Sequence, residues 1–273
     1  MIVERTRISG EWLDLREPAD AEARDPGLVQ HLRRHLPSTG CLVIHDLGCG
    51  TGSMGRWLAP LLPGPQHWIL HDRDEDLLDV AAAEHPGPAP GGAAVSVETR
   101  PSDVTQLRPG DLADASLVTA SALLDLMTWD ELEGLIDLCA NAGCPVLLSL
   151  SVVGRVDLVP ADPLDSRVSV AFDAHQRRMT ERGRLLGPDA AAAAVEGFRR
   201  RGAEVLVRPT PWLLSAAEAD LAAEWFTGWI GAACEQSVDL ASETGSYARR
   251  RLAEARAGEL AVTVGHADLL VLP

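Results

Sequence analysis

The sequence predicts an α/β fold built around a parallel sheet. From Cys41 onward, short apolar runs alternate with longer amphipathic segments, which is the pattern of repeated strand–helix units. Hydrophobic residues make up 46% of the 273 positions and charged residues 23%, close to the average of soluble globular proteins. A packed core is therefore expected, and wholesale disorder is excluded.

The individual elements follow from apolar runs bounded by Gly, Pro or Asp, and from the period of the polar and apolar residues between them. The predicted strands are residues 42–45, 68–71, 94–98, 116–120, 146–150, 204–208 and 266–272. The predicted helices are residues 54–62, 75–84, 129–142 and 190–201, the third with Thr128 as its N-cap.

We expect a single domain, residues 1–273, with three segments added to the regular alternation. Residues 1–38 are predicted to form a helical cap, and residues 152–187 and 212–258 are predicted insertions. The last insertion contains two amphipathic helices, 216–238 and 246–257. In an open parallel sheet ligands bind outside the carboxyl ends of the strands, so insertions that follow a strand begin at the ligand-binding edge. The insertions therefore predict a lidded site.

Charge and composition exclude several classes of partner. Against 24 Lys and Arg stand 40 Asp and Glu, and the net charge of −16 repels nucleic acid and anionic membrane surfaces. The first twelve residues lack the apolar core of a signal peptide, and no apolar run approaches the ~20 residues that span a bilayer. We expect a cytoplasmic protein. The five cysteines include no CxxC pair, so neither a disulfide framework nor a metal site is expected.

A glycine-rich turn follows the first predicted strand. Gly50, Gly52 and Gly55 satisfy GxGxxG, a weak signal that dinucleotide-binding proteins share. Asp46 is more informative, because it stands two residues before Gly48, the first glycine of the turn. A carboxylate there disfavours a pyrophosphate and favours a ligand with a cationic amino group.

The run DLGCGTG at positions 46–52 resembles the first motif of the class I S-adenosylmethionine-dependent methyltransferases. WILHD at 68–72, SDV at 102–104 and LVTASALL at 117–124 are similar to later landmarks of that family, in the same order. The resemblance covers roughly residues 41–151, and the last two predicted strands resemble the antiparallel pair that closes such sheets. It implies a doubly wound, seven-stranded, mostly parallel sheet with an antiparallel last strand and helical lid insertions.

The resemblance also implies S-adenosyl-L-methionine as cofactor and S-adenosyl-L-homocysteine as product. Asp46 and the glycine turn would hold the methionine portion, Asp72 the ribose hydroxyls and Asp103 the adenine amino group. Asp72 has an alternative role as a helix-capping acid, and Asp103 as an Asx-turn residue. The full set of implied cofactor-binding residues is Arg16, Asp46, Gly48, Cys49, Gly50, Gly52, Asp72, Arg73, Asp103, Val104 and Ala120.

Two residues are candidates for removing a proton from the methyl acceptor. His175 lies in the insertion after the fifth strand, and imidazole suits proton transfer near neutral pH. Asp125 follows the fourth strand and could accept a proton or anchor the acceptor. The alternative for each is an ordinary polar residue, on a charged helix for His175 and in a loop for Asp125.

Two aromatic groups leave alternatives open. Trp225 and Trp229 share one helical face and could wall an apolar substrate or belong to a core. Trp12 and Arg16 lie one helical turn apart; they could close over the cofactor, with Arg16 on its carboxylate, or pack on the sheet edge.

The sequence thus predicts a methyltransferase that methylates a small or medium-sized metabolite at oxygen or nitrogen. A non-catalytic cofactor-binding module and, less favoured because of Asp46, a nicotinamide-dependent oxidoreductase are the alternatives. The partner expected is a small-molecule acceptor, with no nucleic acid and no membrane. The sequence does not identify the acceptor or the oligomeric state.

Overall fold

A computed structural model describes residues 8–84 and 86–273. The first seven residues of the predicted N-terminal cap lie outside the described part. The helices are α1 Gly10–Ala23, α2 Pro26–Leu32, α3 Ser53–Leu58, α4 Glu75–Ala83, α5 Trp129–Ala142, α6 Asp165–Gln176, α7 Ala190–Arg200, α8 Ala219–Gln236, α9 Val238–Glu243 and α10 Gly245–Arg256. The strands are β1 Leu42–Leu47, β2 Gln66–Asp72, β3 Val95–Pro101, β4 Leu117–Ser121, β5 Val146–Val159, β6 Met179–Thr180, β7 Gly183–Arg184, β8 Glu204–Pro209, β9 Trp212–Leu214 and β10 Ala261–Leu272.

The main sheet has the strand order β3-β2-β1-β4-β5-β10-β8. The pairs from β3 to β5 are parallel, whereas β10 runs antiparallel to both of its neighbours. Two apolar clusters cover the two faces of the sheet, one under α5 and α7 and the other under α2, α3 and α4. The prediction of a doubly wound, mostly parallel sheet with an antiparallel last strand is confirmed. The short strand β9 adds an eighth member by pairing with β10.

Helix α5 shows how local signals place an element. Thr128 caps its N-terminus, since its hydroxyl accepts from the Glu131 N–H while the Glu131 carboxylate accepts from the Thr128 N–H. Gly143, with φ 65°, terminates the helix in a left-handed conformation. The predicted bounds 129–142 are confirmed.

Strands β5 and β10 extend well beyond their predicted limits. The insertion 152–187 was expected to be helical, but it begins as a continuation of β5 to Val159, paired with residues of β10 from Ala261 onward. Along this extension partly buried and exposed side chains alternate, as in a half-buried strand. The strands run past the parallel sheet because the extension of β5 pairs with β10 and not with β4, and β10 in turn pairs with β9.

A helical subdomain made of α6, α8, α9 and α10 with β9 packs on this extension. From here on we call this subdomain the cap; it is distinct from the predicted N-terminal cap of residues 1–38. The Trp225 and Trp229 rings stack with centroids 5.3 Å apart, and the Phe226 ring lies 5.8 Å from that of Tyr247. All four side chains belong to one buried apolar cluster. The Trp225 and Trp229 stripe is therefore the core of the cap. Within the described ranges, no helix combines the length and apolarity needed to cross a membrane.

Candidate functional site

A cavity of about 680 Å³ opens at the carboxyl ends of β1, β2, β3 and β4, with α1 lying over it. Nine of the eleven residues predicted to bind a cofactor line it: Arg16, Asp46, Gly48, Cys49, Gly50, Asp72, Arg73, Asp103 and Val104. Of the other two, Gly52 is the N-cap of α3 and Ala120 is buried in β4, where its successors Ser121 and Ala122 reach the cavity. The structure thus brings the predicted cofactor set together at one edge of the sheet.

The glycine turn is tight enough to require glycine. Gly48 and Gly50 have φ values of 67° and 55°, a conformation that disfavours other residues. A Cβ on Gly50 would stand 3.0 Å from the Leu13 side chain of α1, so the turn and the helix over it are in close contact. The backbone N–H of Gly50 donates to the Asp72 carboxylate at 2.9 Å. The turn therefore holds one wall of the cavity to the end of β2.

Asp46 lies on the floor of the cavity and is almost fully buried. Its Oδ1 accepts from the Thr119 hydroxyl at 2.7 Å, while Oδ2 has no hydrogen-bond partner among the described residues. Burial raises the pKa of Asp46 to about 6, with the Thr119 hydrogen bond and the Arg24 charge opposing that shift. A buried carboxylate oxygen without a donor is costly, so this atom is suited to a cationic ligand group.

Arg24, just after α1, is a site residue that the sequence analysis missed. Its Nη2 donates to the hydroxyls of Ser53 (3.3 Å) and Ser121 (3.1 Å), which both line the cavity. Its Nε and Nη1 have no acceptor among the described residues, although the side chain is 2% exposed. Burial lowers the pKa of Arg24, and the charges of Asp20 and Asp268 oppose this most strongly. Buried guanidinium N–H groups without acceptors are suited to an anionic ligand group.

Arg16 also lines the cavity, but its guanidinium is already paired. It makes a two-point contact with the Asp20 carboxylate at 2.9 and 3.1 Å and lies 5.0 Å from the Trp212 ring centroid. Asp20 also accepts from the indole N–H of Trp212. These contacts join α1 to β9, while Trp12 lies 5.9 Å from the same guanidinium. The structure thus shows the packing alternative for this helix. Leu13, Arg16 and Asp20 of α1 also line the cavity, and a contact between Arg16 and a cofactor carboxylate stays a prediction.

Asp72 and Asp103 lie at the ends of β2 and β3. Asp72 accepts from the N–H groups of Gly50 and Asp74, and it is Asp74 that caps α4. Asp74, and not Asp72, is therefore the residue that caps α4. Asp103 accepts from the backbone N–H and the hydroxyl of Thr105, which is the Asx turn considered as its alternative role, and it lines the cavity as well.

Neither predicted proton acceptor is among the residues that line the cavity. Asp125 is half-buried and lies in the sequence between Leu123 and Leu126, which both line the cavity. Burial raises the pKa of its carboxyl to about 6, and the charges of Arg16 and Arg178 oppose that shift. His175 lies on α6, where its Nε2 is 3.2 Å from the Glu235 carboxylate of α8. The structure places His175 between two cap helices and leaves Asp125 next to the cavity wall.

Known proteins resemble this chain in structure and not detectably in sequence. No protein-family model matches it, and no curated protein matches it in sequence. A cyclopropane-fatty-acyl-phospholipid synthase-like protein from Lactobacillus casei superposes with a TM-score of 0.52 at 14% identity, over 95% of this chain and 92% of that one.

Two further solved structures have lower TM-scores. A cyclopropane synthase from Mycobacterium tuberculosis gives 0.49 at 14% identity, over 97% of this chain and 94% of its own. A phosphoethanolamine N-methyltransferase from Haemonchus contortus was crystallised with phosphomonomethylethanolamine and S-adenosylhomocysteine. It superposes with a TM-score of 0.46 at 16% identity, over 99% of this chain and 60% of that one. At 14% identity, the superposition on the Lactobacillus casei protein shows a likeness of fold alone. With its strand order, its antiparallel last strand and its glycine turn at the carboxyl edge, the chain has the fold of the class I S-adenosylmethionine-dependent methyltransferases.

Proposed function

We propose that this protein is a methyltransferase that uses S-adenosyl-L-methionine to methylate a small or medium-sized metabolite at oxygen or nitrogen. The observation that carries the proposal is a pair of buried side chains at the cavity whose polar atoms lack a partner among the described residues. Asp46 lines the cavity, and Arg24 lies behind Ser53 and Ser121, which line it. Arg24 offers two N–H groups and Asp46 one carboxylate oxygen, which match the carboxylate and the ammonium of an α-amino acid. Asp72 and Asp103, in the same cavity, offer acceptors for a nucleoside. One ligand with an amino acid at one end and adenosine at the other satisfies both.

When bound, this cofactor supplies a methyl group activated by a positively charged sulfur. The protein then aligns the acceptor, excludes water and removes a proton if the acceptor is a hydroxyl. We assign alignment and exclusion of water to α1, which lines the cavity, and to the segment 152–187, which contributes Arg182 to it. The segment 212–258 forms most of the cap and contributes no residue to the cavity lining. Leu123, Leu126 and Met127 give the cavity an apolar wall after β4, next to Asp125.

We expect S-adenosylmethionine and S-adenosylhomocysteine to raise the melting temperature, and NAD and NADP to leave it unchanged. A ligand that binds only the native state at a hundred times its Kd adds about 2.7 kcal/mol, roughly 5 °C for a chain of this size. Differential scanning fluorimetry with the four ligands in parallel measures this. Stabilisation by NAD without stabilisation by S-adenosylhomocysteine would contradict the proposal and favour an oxidoreductase.

Asp125, and not His175, is the residue we propose as the proton acceptor. For a hydroxyl acceptor, Asp125→Asn is expected to lower kcat by about 10²-fold while leaving the Kd of S-adenosylhomocysteine unchanged. The wild-type rate should rise with pH through about 6, because Asp125 accepts a proton only when ionised. His175→Ala is the matched comparison, since it removes the other candidate from a position off the cavity. A large loss of kcat in His175→Ala, with normal turnover in Asp125→Asn, would reverse the assignment.

A further inference from the structure

Four polar side chains form a continuous hydrogen-bonded chain beside the cavity, which we call the relay. The Asp114 carboxylate lies 3.1 Å from His45 Nε2, and His45 Nδ1 lies 3.0 Å from His71 Nε2. His71 Nδ1 lies 3.0 Å from the Ser102 hydroxyl. Both histidines are at most 1% exposed and their ring planes lie within 20° of parallel, whereas the Asp114 side chain is exposed to solvent.

Three members of the relay directly precede an acid of the cavity in the sequence. His45 precedes Asp46, His71 precedes Asp72 and Ser102 precedes Asp103, at the ends of β1, β2 and β3. The carbonyl of His71 also accepts from the N–H of Gly48 at 2.8 Å, the first residue of the glycine turn. A change in the His71 ring position would therefore reach the turn and the carboxylate of the next residue together.

The donor and acceptor count gives the relay one direction. A carboxylate only accepts, so Asp114 requires a proton on His45 Nε2. In a neutral ring His45 Nδ1 is then bare and accepts from His71 Nε2–H, which leaves His71 Nδ1 to accept from the Ser102 hydroxyl. The Arg100 carbonyl, 3.1 Å from the same hydroxyl, then competes with His71 for its one proton. Burial lowers the pKa of both rings, that of His71 to about 4, so both are neutral near pH 7.

We propose that His45 and His71, oriented by Asp114, are positioning residues that hold the ends of β1, β2 and β3 in the arrangement the cavity's carboxylates need for a nucleoside. The relay joins three neighbouring strand ends through side chains, in addition to the backbone ladder. The two histidine rings touch no ligand themselves, because they are buried, whereas Ser102 at the end of the relay lines the cavity. The proposal rests on the proposed function for the nucleoside as ligand, both in its statement and in the affinity test.

Nitrogen NMR of histidine-labelled protein without ligand tests the direction of the relay. At pH 7.5 we expect both buried rings to carry their proton on Nε2. Asp114→Ala removes the terminal acceptor and should leave His45 with mixed tautomers, whereas Asp114→Asn keeps an acceptor oxygen and should retain the order. Because Asp114 is exposed, neither change threatens the fold. Protons on Nδ1, or tautomers unaffected by Asp114→Ala, would overturn the proposal.

Calorimetry with S-adenosylhomocysteine tests the positioning role. His71→Phe keeps an aromatic ring and loses both hydrogen bonds, and we expect about tenfold weaker binding. His67→Phe is the matched control, since His67 lies on the same strand and its Nδ1 is 2.9 Å from Ser96 on β3, at the end of β2 away from the cavity. We expect that variant to bind as the wild type does.

The outcomes separate this proposal from the proposed function. Equal affinity of wild type and His71→Phe, or equal weakening by His67→Phe, would overturn the positioning role. If His71→Phe does not fold, Asp114→Ala takes its place, with an expected loss of about threefold that Asp114→Asn recovers. No binding of S-adenosylhomocysteine to wild-type protein would contradict the proposed function, and the nitrogen spectra would then decide on the relay alone.

Discussion

Arg24→Met is expected to weaken the binding of S-adenosylhomocysteine by at least about a hundredfold. Hydrogen bonds to a charged group contribute roughly 1.5–3 kcal/mol each, and the two free N–H groups of Arg24 can make two of them with one carboxylate. Methionine keeps most of the side-chain volume and removes the charge. Titration calorimetry on the purified variant, with its fold checked by circular dichroism, measures the change.

The control for Arg24→Met is a second ligand. 5′-Methylthioadenosine has the nucleoside and the sulfur but no amino acid, so we expect its affinity to be the same in the variant and the wild type. Arg24→Lys keeps a charge but loses the planar two-point geometry, and its affinity should lie between the two. Equal weakening of both ligands would mean that Arg24 supports the cavity structurally and does not meet the carboxylate.

Asp72→Ala is the second large effect that we expect, at about ten- to a hundredfold weaker binding. The substitution removes the proposed acceptor for two ribose hydroxyls, and it also frees the Gly50 N–H that the carboxylate now accepts from. Because both ligands carry the ribose, S-adenosylhomocysteine and 5′-methylthioadenosine should weaken together, in contrast to Arg24→Met.

Asp72→Asn is the matched comparison for this position. It keeps one acceptor oxygen at nearly the same volume, so its affinity should fall by less than that of Asp72→Ala. Unchanged affinity in Asp72→Ala, with an intact fold, would show that the end of β2 does not contact the ribose. Selective loss of S-adenosylhomocysteine alone would place Asp72 at the amino-acid end instead.

The sequence was sufficient for the elements whose signals are local. Helix α5 is bounded by a capping box at Thr128 and a left-handed glycine, both within a few residues of the helix ends. The turn after β1 needs positive φ at Gly48 and Gly50, which the motif itself supplies. Asp46 and Asp72 directly follow the short apolar runs 42–45 and 68–71, whereas Asp103 was indicated by the resemblance of residues 102–104 to a family landmark.

What only the tertiary structure decided is where distant residues meet. Arg24 contacts hydroxyls 29 and 97 positions away, Ser53 and Ser121, and nothing near Arg24 in the sequence distinguishes it from the other arginines. The extension of β5 depends on a partner strand more than a hundred residues later. The relay likewise joins strand ends that fold side by side, so its donors and acceptors can be counted only in the folded chain. Periodicity, capping and turn chemistry act over a few residues, whereas the burial of an unpaired charge is a property of the packed molecule.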